Sequence, residues 1–237
     1  MKKWNTIFLT ISLCVLSTAS FAHALWIETA ATGKAGKMQT VKVFYGEYIE
    51  NERDSVAKWY SDVAAFTLWL VGPDQKRTKL ETVAGVNYYE AKFTPALNGK
   101  YTLAISHQAK DLGGTTKYHF LATTIVTVGN STTNSASTVN ALQLNAVGTA
   151  KAMVNKPLSL KAYLQNAVAA GKKVSVFSPK GWSMELSTNS SGEITFTPPF
   201  IGRYVVEVSD MDKAAGEHYG KPYQATWSGA TYSFEVD

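Results

Sequence analysis

Four histidines and one acidic run carry the ligand chemistry of this sequence. They are His23, His107, His119 and His218, with Glu47, Glu50, Glu52 and Asp54. Imidazole nitrogens suit Ni(II) and Cu(II), and carboxylates add oxygen donors. His23 stands out because Ser20-Phe21-Ala22 before it has small residues where a signal peptidase needs them. Cleavage after Ala22 gives His23 a free α-amine, so one residue offers amine and imidazole to the same ion. A cut after Ala24 would discard it. Each group also has a plainer reading. A single loop histidine is commonly a surface side chain, and the acidic run reads equally as a solvated loop or a cation-attracting rim. Catalytic patterns are absent: there is no G-x-S-x-G, H-E-x-x-H or phosphate loop. We therefore expect no enzyme. A copper enzyme built on an amino-terminal histidine brace is a remote third option, because it needs a second histidine on a rigid core.

The elements that must position these groups begin after residue 22. Residues 1–22 read as a signal peptide, with Lys2 and Lys3 before an apolar run from Ile7 to Leu16. That run is too short for a stable membrane anchor. The single cysteine, Cys14, lies inside it, so the expected mature chain has no disulfide. We expect a periplasmic protein of a Gram-negative type of cell, without an anchor once cleaved. The formal charge is +5, two of which come from Lys2 and Lys3, leaving +3. No Lys/Arg cluster with interleaved aromatics occurs, which argues against nucleic acid as a partner.

The mature chain contains one pattern twice. Phe93-Thr94-Pro95 through Gly99-Lys100-Tyr101 aligns with Phe196-Thr197-Pro198 through Gly202-Arg203-Tyr204, an offset of 103. Ala122–Val128 aligns with Ala230–Val236 at an offset of 108, so the second copy holds five extra residues between 210 and 229. Both copies read as short strands. Phe66–Val71 ends at Gly72-Pro73-Asp74, and Lys173–Phe177 ends at Ser178-Pro179. Tyr232, Phe234 and Val236 alternate with Ser233 and Glu235, the period of a half-buried strand. Tyr101 and Tyr204 suit tyrosine corners. The fold class is all-β: two tandem antiparallel Ig-like or prealbumin-like sandwiches, residues 23–128 and 141–237, joined by a flexible polar linker over 129–140. Glu47–Asp62 interrupts the strands, and Ser55–Ala65 has room for one or two helical turns. His107 and Asp210 fall at matched positions just past the penultimate strand of each copy. His218 falls in the longer loop of the second copy. His119 has the opposite parity to Phe120 and belongs on an outer face.

His23-Ala24-Leu25-Trp26-Ile27-Glu28, directly after the signal, resembles the H-x-[FL]-W-[IL]-E start of a family of bacterial periplasmic proteins, the NikM-like or nickel-uptake accessory group. The likeness runs through the Val41–Gly46 strand, the Leu68–Pro73 turn, the G-x-Y corners and the Phe234-Glu235-Val236 ending. It implies β-sandwich modules acting near divalent-metal import, beside a metal transporter or outer-membrane receptor. Two positions depart from the family: Gly46-Glu47 stands where G-H is common after that strand, and Ser209-Asp210 stands where a histidine is common. The expected function is divalent-metal binding, nickel or copper, anchored on His23 and completed by His107, His119, His218 or Glu47. The alternative is a non-catalytic envelope interaction module for a receptor, protein or glycan, with Trp59, Tyr60, Trp182 and Trp227 as exposed contacts.

Overall fold

The computed structural model describes residues 23–129, 138–148 and 151–237. The expected signal peptide and most of the expected linker lie outside the described residues. The first copy forms β1 (Ala24–Thr29), β2 (Thr32–Gly33), β3 (Gln39–Gly46), β4 (Leu68–Val71), β5 (Arg77–Leu80), β6 (Thr82–Ala84), β7 (Tyr89–Phe93), β8 (Gly99–Gly113) and β9 (Thr116–Val128). The second forms β10 (Leu142–Ala146), β11 (Leu158–Leu164), β12 (Ala167–Val168), β13 (Lys173–Phe177), β14 (Ser183–Ser187), β15 (Glu193–Phe196), β16 (Gly202–Asp212), β17 (Gly216–His218), β18 (Lys221–Tyr223) and β19 (Ala225–Val236). The chain is all-β, as expected. Two 3₁₀ turns, Val56–Lys58 and Val63–Ala65, occupy the Ser55–Ala65 stretch expected to turn.

Three sheets do the packing. One runs β1-β3-β7-β6, and another joins β10, β11, β12 and β15. Between them lies a nine-stranded sheet in the order β14-β13-β16-β19-β9-β8-β4-β5, with β2 beside β9. The two copies thus share one sheet. Their seam is the parallel pairing of β9 with β19, from Thr116 opposite Ala225 to Thr124 opposite Ser233.

The register of that seam decides where each core sits. Ala122 pairs with Thr231, an offset of 109, whereas the repeat aligns Ala122 with Ala230. Paired residues in a sheet point to the same side, and a one-residue slip reverses every side chain. Phe120, Ala122, Val126 and Val128 therefore join the first core, with Leu25, Ile27, Val41 and Leu103. Ala230, Tyr232 and Val236 join the second core on the opposite face, together with Leu121 of β9. The first-core face of β19 is crossed by β1: Thr231 donates its hydroxyl to the Leu25 carbonyl at 2.7 Å, and Ser233 donates to the Ile27 carbonyl.

A third cluster closes the remaining gap. Trp26 and Phe44 stack at 5.6 Å between centroids and cover Val205 on β16. Trp26 is fully buried. Losing such a ring costs about 3–5 kcal/mol. Tyr48 donates its hydroxyl to the Arg203 carbonyl, and Arg203 donates to the Thr29 carbonyl. The tyrosine corners form in both copies: the Tyr101 hydroxyl bonds the Leu97 N–H and carbonyl, and Tyr204 does the same at Phe200.

Three local expectations need correction. His107 and Asp210 lie within strands, because β8 runs to Gly113 and β16 to Asp212. A register shift between Gln108 and Leu112 absorbs the polar residues there without ending the hairpin. The extra residues of the second copy form the β17-β18 hairpin. Trp59 is buried at 6% exposure rather than exposed, because the 3₁₀ turns fold it onto Phe66 and Tyr89.

Candidate functional site

Gly46 is where this site begins. Its φ of +147° is a glycine conformation, and a Cβ there would meet the Glu52 carbonyl at 2.7 Å. The missing side chain lets the acidic loop fold back on β3, and the Asp54 N–H then bonds the Tyr45 carbonyl at 2.9 Å. This sets the Asp54 carboxylate 3.5 Å from Nε2 of His23. The His23 ring also tilts against Tyr45, 5.5 Å between centroids. His23 and Glu47 flank the Ala24–Gly46 pair that ends the β1-β3 ladder. His23, Glu47 and Asp54 line one groove.

The other histidines lie on separate elements. His107 donates from Nε2 to Asp62 at 3.0 Å, and Asp62 also accepts the Lys110 N–H at 2.8 Å. Burial acts to raise the Asp62 pKa, but the Lys110 N–H and His107 outweigh it and hold the carboxyl below its ordinary value. His119 faces away from the first core, as its parity requires, and shares a hydrogen bond with Ser106 Oγ at 2.8 Å. Burial, then the charges of Lys117 and His107, pulls its pKa down to about 4. His218 on β17 donates from Nε2 to the Ala109 carbonyl at 2.9 Å. These three pin the 3₁₀ loop, the β8-β9 hairpin and the β17-β18 hairpin to one stretch of β8. Among the described residues, no three His, Cys, Asp or Glu side chains gather as a metal site.

The groove has a volume of about 890 Å³. One wall is the first copy's acidic loop and β8-β9 hairpin, with Tyr45, Tyr60 and Tyr118. The other wall is the uncovered first-core face of β13, β14 and β16. Trp227 packs edge-on against Tyr118 and Phe120 where the two copies meet. Burial, reinforced by Asp54, raises the Tyr45 hydroxyl far above its ordinary range, so it stays a neutral donor.

Glu207 lines the same groove and was not singled out by sequence. It lies on β16 between Ser175 of β13 and Thr231 of β19, at 8% exposure. No described side chain or backbone group hydrogen-bonds its carboxyl. Burial raises its pKa to about 7, against a smaller opposing pull from Lys173. A signal was present: in Tyr204-Val205-Val206-Glu207-Val208 a glutamate interrupts a strand that is apolar on both faces.

The fold and groove together define a tandem β-sandwich protein whose two copies share one sheet and enclose a polar, aromatic-walled cleft. The chain belongs to the DUF4198 family, a domain of unknown function, whose model matches residues 20–212. A comparison with curated protein sequences finds no match. Two crystal structures of Salmonella alpha-2-macroglobulin, one reacted with methylamine and one of a point mutant, align at 11% identity and TM-score 0.29. They cover 93% and 92% of this chain, which spans only 15% of the length of either.

Proposed function

We propose that the mature chain is a non-catalytic periplasmic cation-binding protein, of the kind that assists divalent-metal uptake, with nickel or copper as the cation class. The observation that carries this reading is the pairing of His23 with Asp54 at 3.5 Å in a groove that Glu47 also lines. One imidazole and two carboxylates lining one groove supply donors of the right type. They do not complete a site by side chains alone, so the reading needs the α-amine that cleavage after Ala22 would expose. His107, His119 and His218 then serve as fold contacts rather than ligands. The cation would be received from or passed to a transporter or an outer-membrane receptor.

The test is calorimetric titration of the mature protein with Ni(II), Cu(II) and Zn(II), with intact mass fixing its first residue. Submicromolar binding lost in His23→Ala supports the proposal. A chain beginning at Leu25, or binding no tighter than a free peptide, overturns it. The second reading, an interaction module for a protein or glycan of the envelope, is favoured by the aromatic wall of Tyr60, Tyr118 and Trp227. Aromatic faces beside open space are common anchors in recognition.

A further inference from the structure

The groove floor holds a carboxyl group that the His23 reading does not use. Glu207 is more than nine-tenths buried and lines the groove without a hydrogen-bond partner among the described residues. The residue is buried, and its carboxyl opens onto the groove, where a ligand donor would reach it without displacing a protein partner. Lys173, whose charge acts on Glu207, pairs instead with Glu185 at 2.5 Å.

The surroundings of Glu207 specify the missing partner. Ser175 is its direct cross-strand neighbour, and Ser209 follows two residues along β16 on the same face. Both serines line the groove, while Thr231 on the other flank spends its hydroxyl on the Leu25 carbonyl. One carboxylate and two hydroxyls match the three N–H donors of a primary ammonium. They are a poor set for a divalent ion, because Glu207 has no second carboxylate or imidazole on the flanking rungs of β13 and β19. The wider lining agrees with a cation. It contains four carboxylates, Glu47, Asp54, Glu185 and Glu207, against two lysines, in a chain that is positive overall.

The shape of the floor adds a length. On the same face of β16, Met211 lies four residues beyond Glu207 and pairs with Trp227. At roughly 3.3 Å per residue, about 13 Å separates the carboxyl rung from the Met211–Trp227 rung. That end is apolar and aromatic, suited to methylene groups and to a second cation over a ring.

We infer that the groove binds an extended alkylammonium ligand, its primary ammonium on Glu207, Ser175 and Ser209 and its chain lying along β16 toward Met211 and Trp227. The same chemistry is offered by a free polyamine and by a lysine side chain of an extended peptide. This inference goes beyond the metal reading and does not depend on it.

The experiment is calorimetric titration of the full mature protein with spermidine, with an acetylated and amidated Ala-Lys-Ala peptide, and with Ni(II), in wild type, Glu207→Gln and His23→Ala. The glutamine keeps the side chain's shape, and circular dichroism melts verify folding. We expect submillimolar binding of at least one amine, weakened tenfold or more by Glu207→Gln and unchanged by His23→Ala. Tighter spermidine binding identifies a free polyamine, and tighter peptide binding identifies a protein lysine. Amine binding that is absent, or equal in Glu207→Gln, overturns the inference. So does Ni(II) binding that disappears in Glu207→Gln and persists in His23→Ala. Loss of Ni(II) binding in His23→Ala alone bears only on the metal reading.

Discussion

Replacing Glu207 by glutamine should change how stability depends on pH, and the structure gives both sign and size. Burial raises the Glu207 carboxyl from its ordinary 4.5 to about 7. An acid raised on folding is protonated in the folded state while the unfolded chain has already ionised. The stability it confers is complete below about pH 4.5 and is lost as pH climbs through about 7. The full loss is about 3 kcal/mol, at 1.36 kcal/mol per pKa unit. For a chain of this size it corresponds to roughly 6–12 °C in Tm. Glutamine cannot ionise, so the variant should match wild type near pH 4 and exceed it by about 3 kcal/mol at pH 8. Urea denaturation of both proteins at pH 4, 6 and 8 provides the comparison, and the quantity to follow is their difference. Curves that stay parallel across this range would refute a buried, unpartnered Glu207.

His119 supplies an opposing trend. Its pKa is lowered to about 4, so the stability it confers is present above the ordinary pKa of 6.5 and is lost as pH falls toward 4. His119→Gln should flatten the acid limb of the stability profile by about as much as Glu207→Gln changes the alkaline one, because the two shifts are of similar size. The same denaturation series measures it. Gly46→Ala puts a Cβ at 2.7 Å from the Glu52 carbonyl and strains a φ of +147°. It should cost about 2–4 kcal/mol and weaken Ni(II) binding at His23 by displacing Asp54, read from melts and titration together.

Much of the fold was legible because it rests on local chemistry. The repeat of F-T-P-x-x-x-G-[KR]-Y marked both tyrosine corners, and alternation in Tyr232–Val236 marked a half-buried strand. The seam was not legible. β9 and β19 read as equivalent strands, and nothing local states that they pair in parallel or with a slip of one residue. Leu121 shows the difficulty: it reads as an outward residue of the first copy and is buried in the second core. Trp59 misled for a related reason, since a polar, charged loop hid how tightly it folds back at Gly46. Of the candidate site, His23 and Glu47 were marked by their places after the expected signal and just past β3. Asp54 was seen only as part of an acidic run, because its approach to His23 depends on loop closure. Glu207 was missed because a lone glutamate in a strand reads as solvent-facing, and only the first copy's covering loops make its surface a groove floor.

The parallel seam bears on how such a chain could have arisen. Two like strands lying side by side, with their cores on opposite faces, are related by a pseudo-twofold axis along the strands. That is the arrangement of a symmetric dimer whose subunits have been joined end to end. A single copy would leave the β9 edge open and Leu121 without cover, an invitation to pair with another copy of itself. Fusion makes that pairing permanent and intramolecular. It also frees the halves from identity: one face of the pair can diverge into a cleft while the other remains packed, which a dimer of identical subunits cannot do.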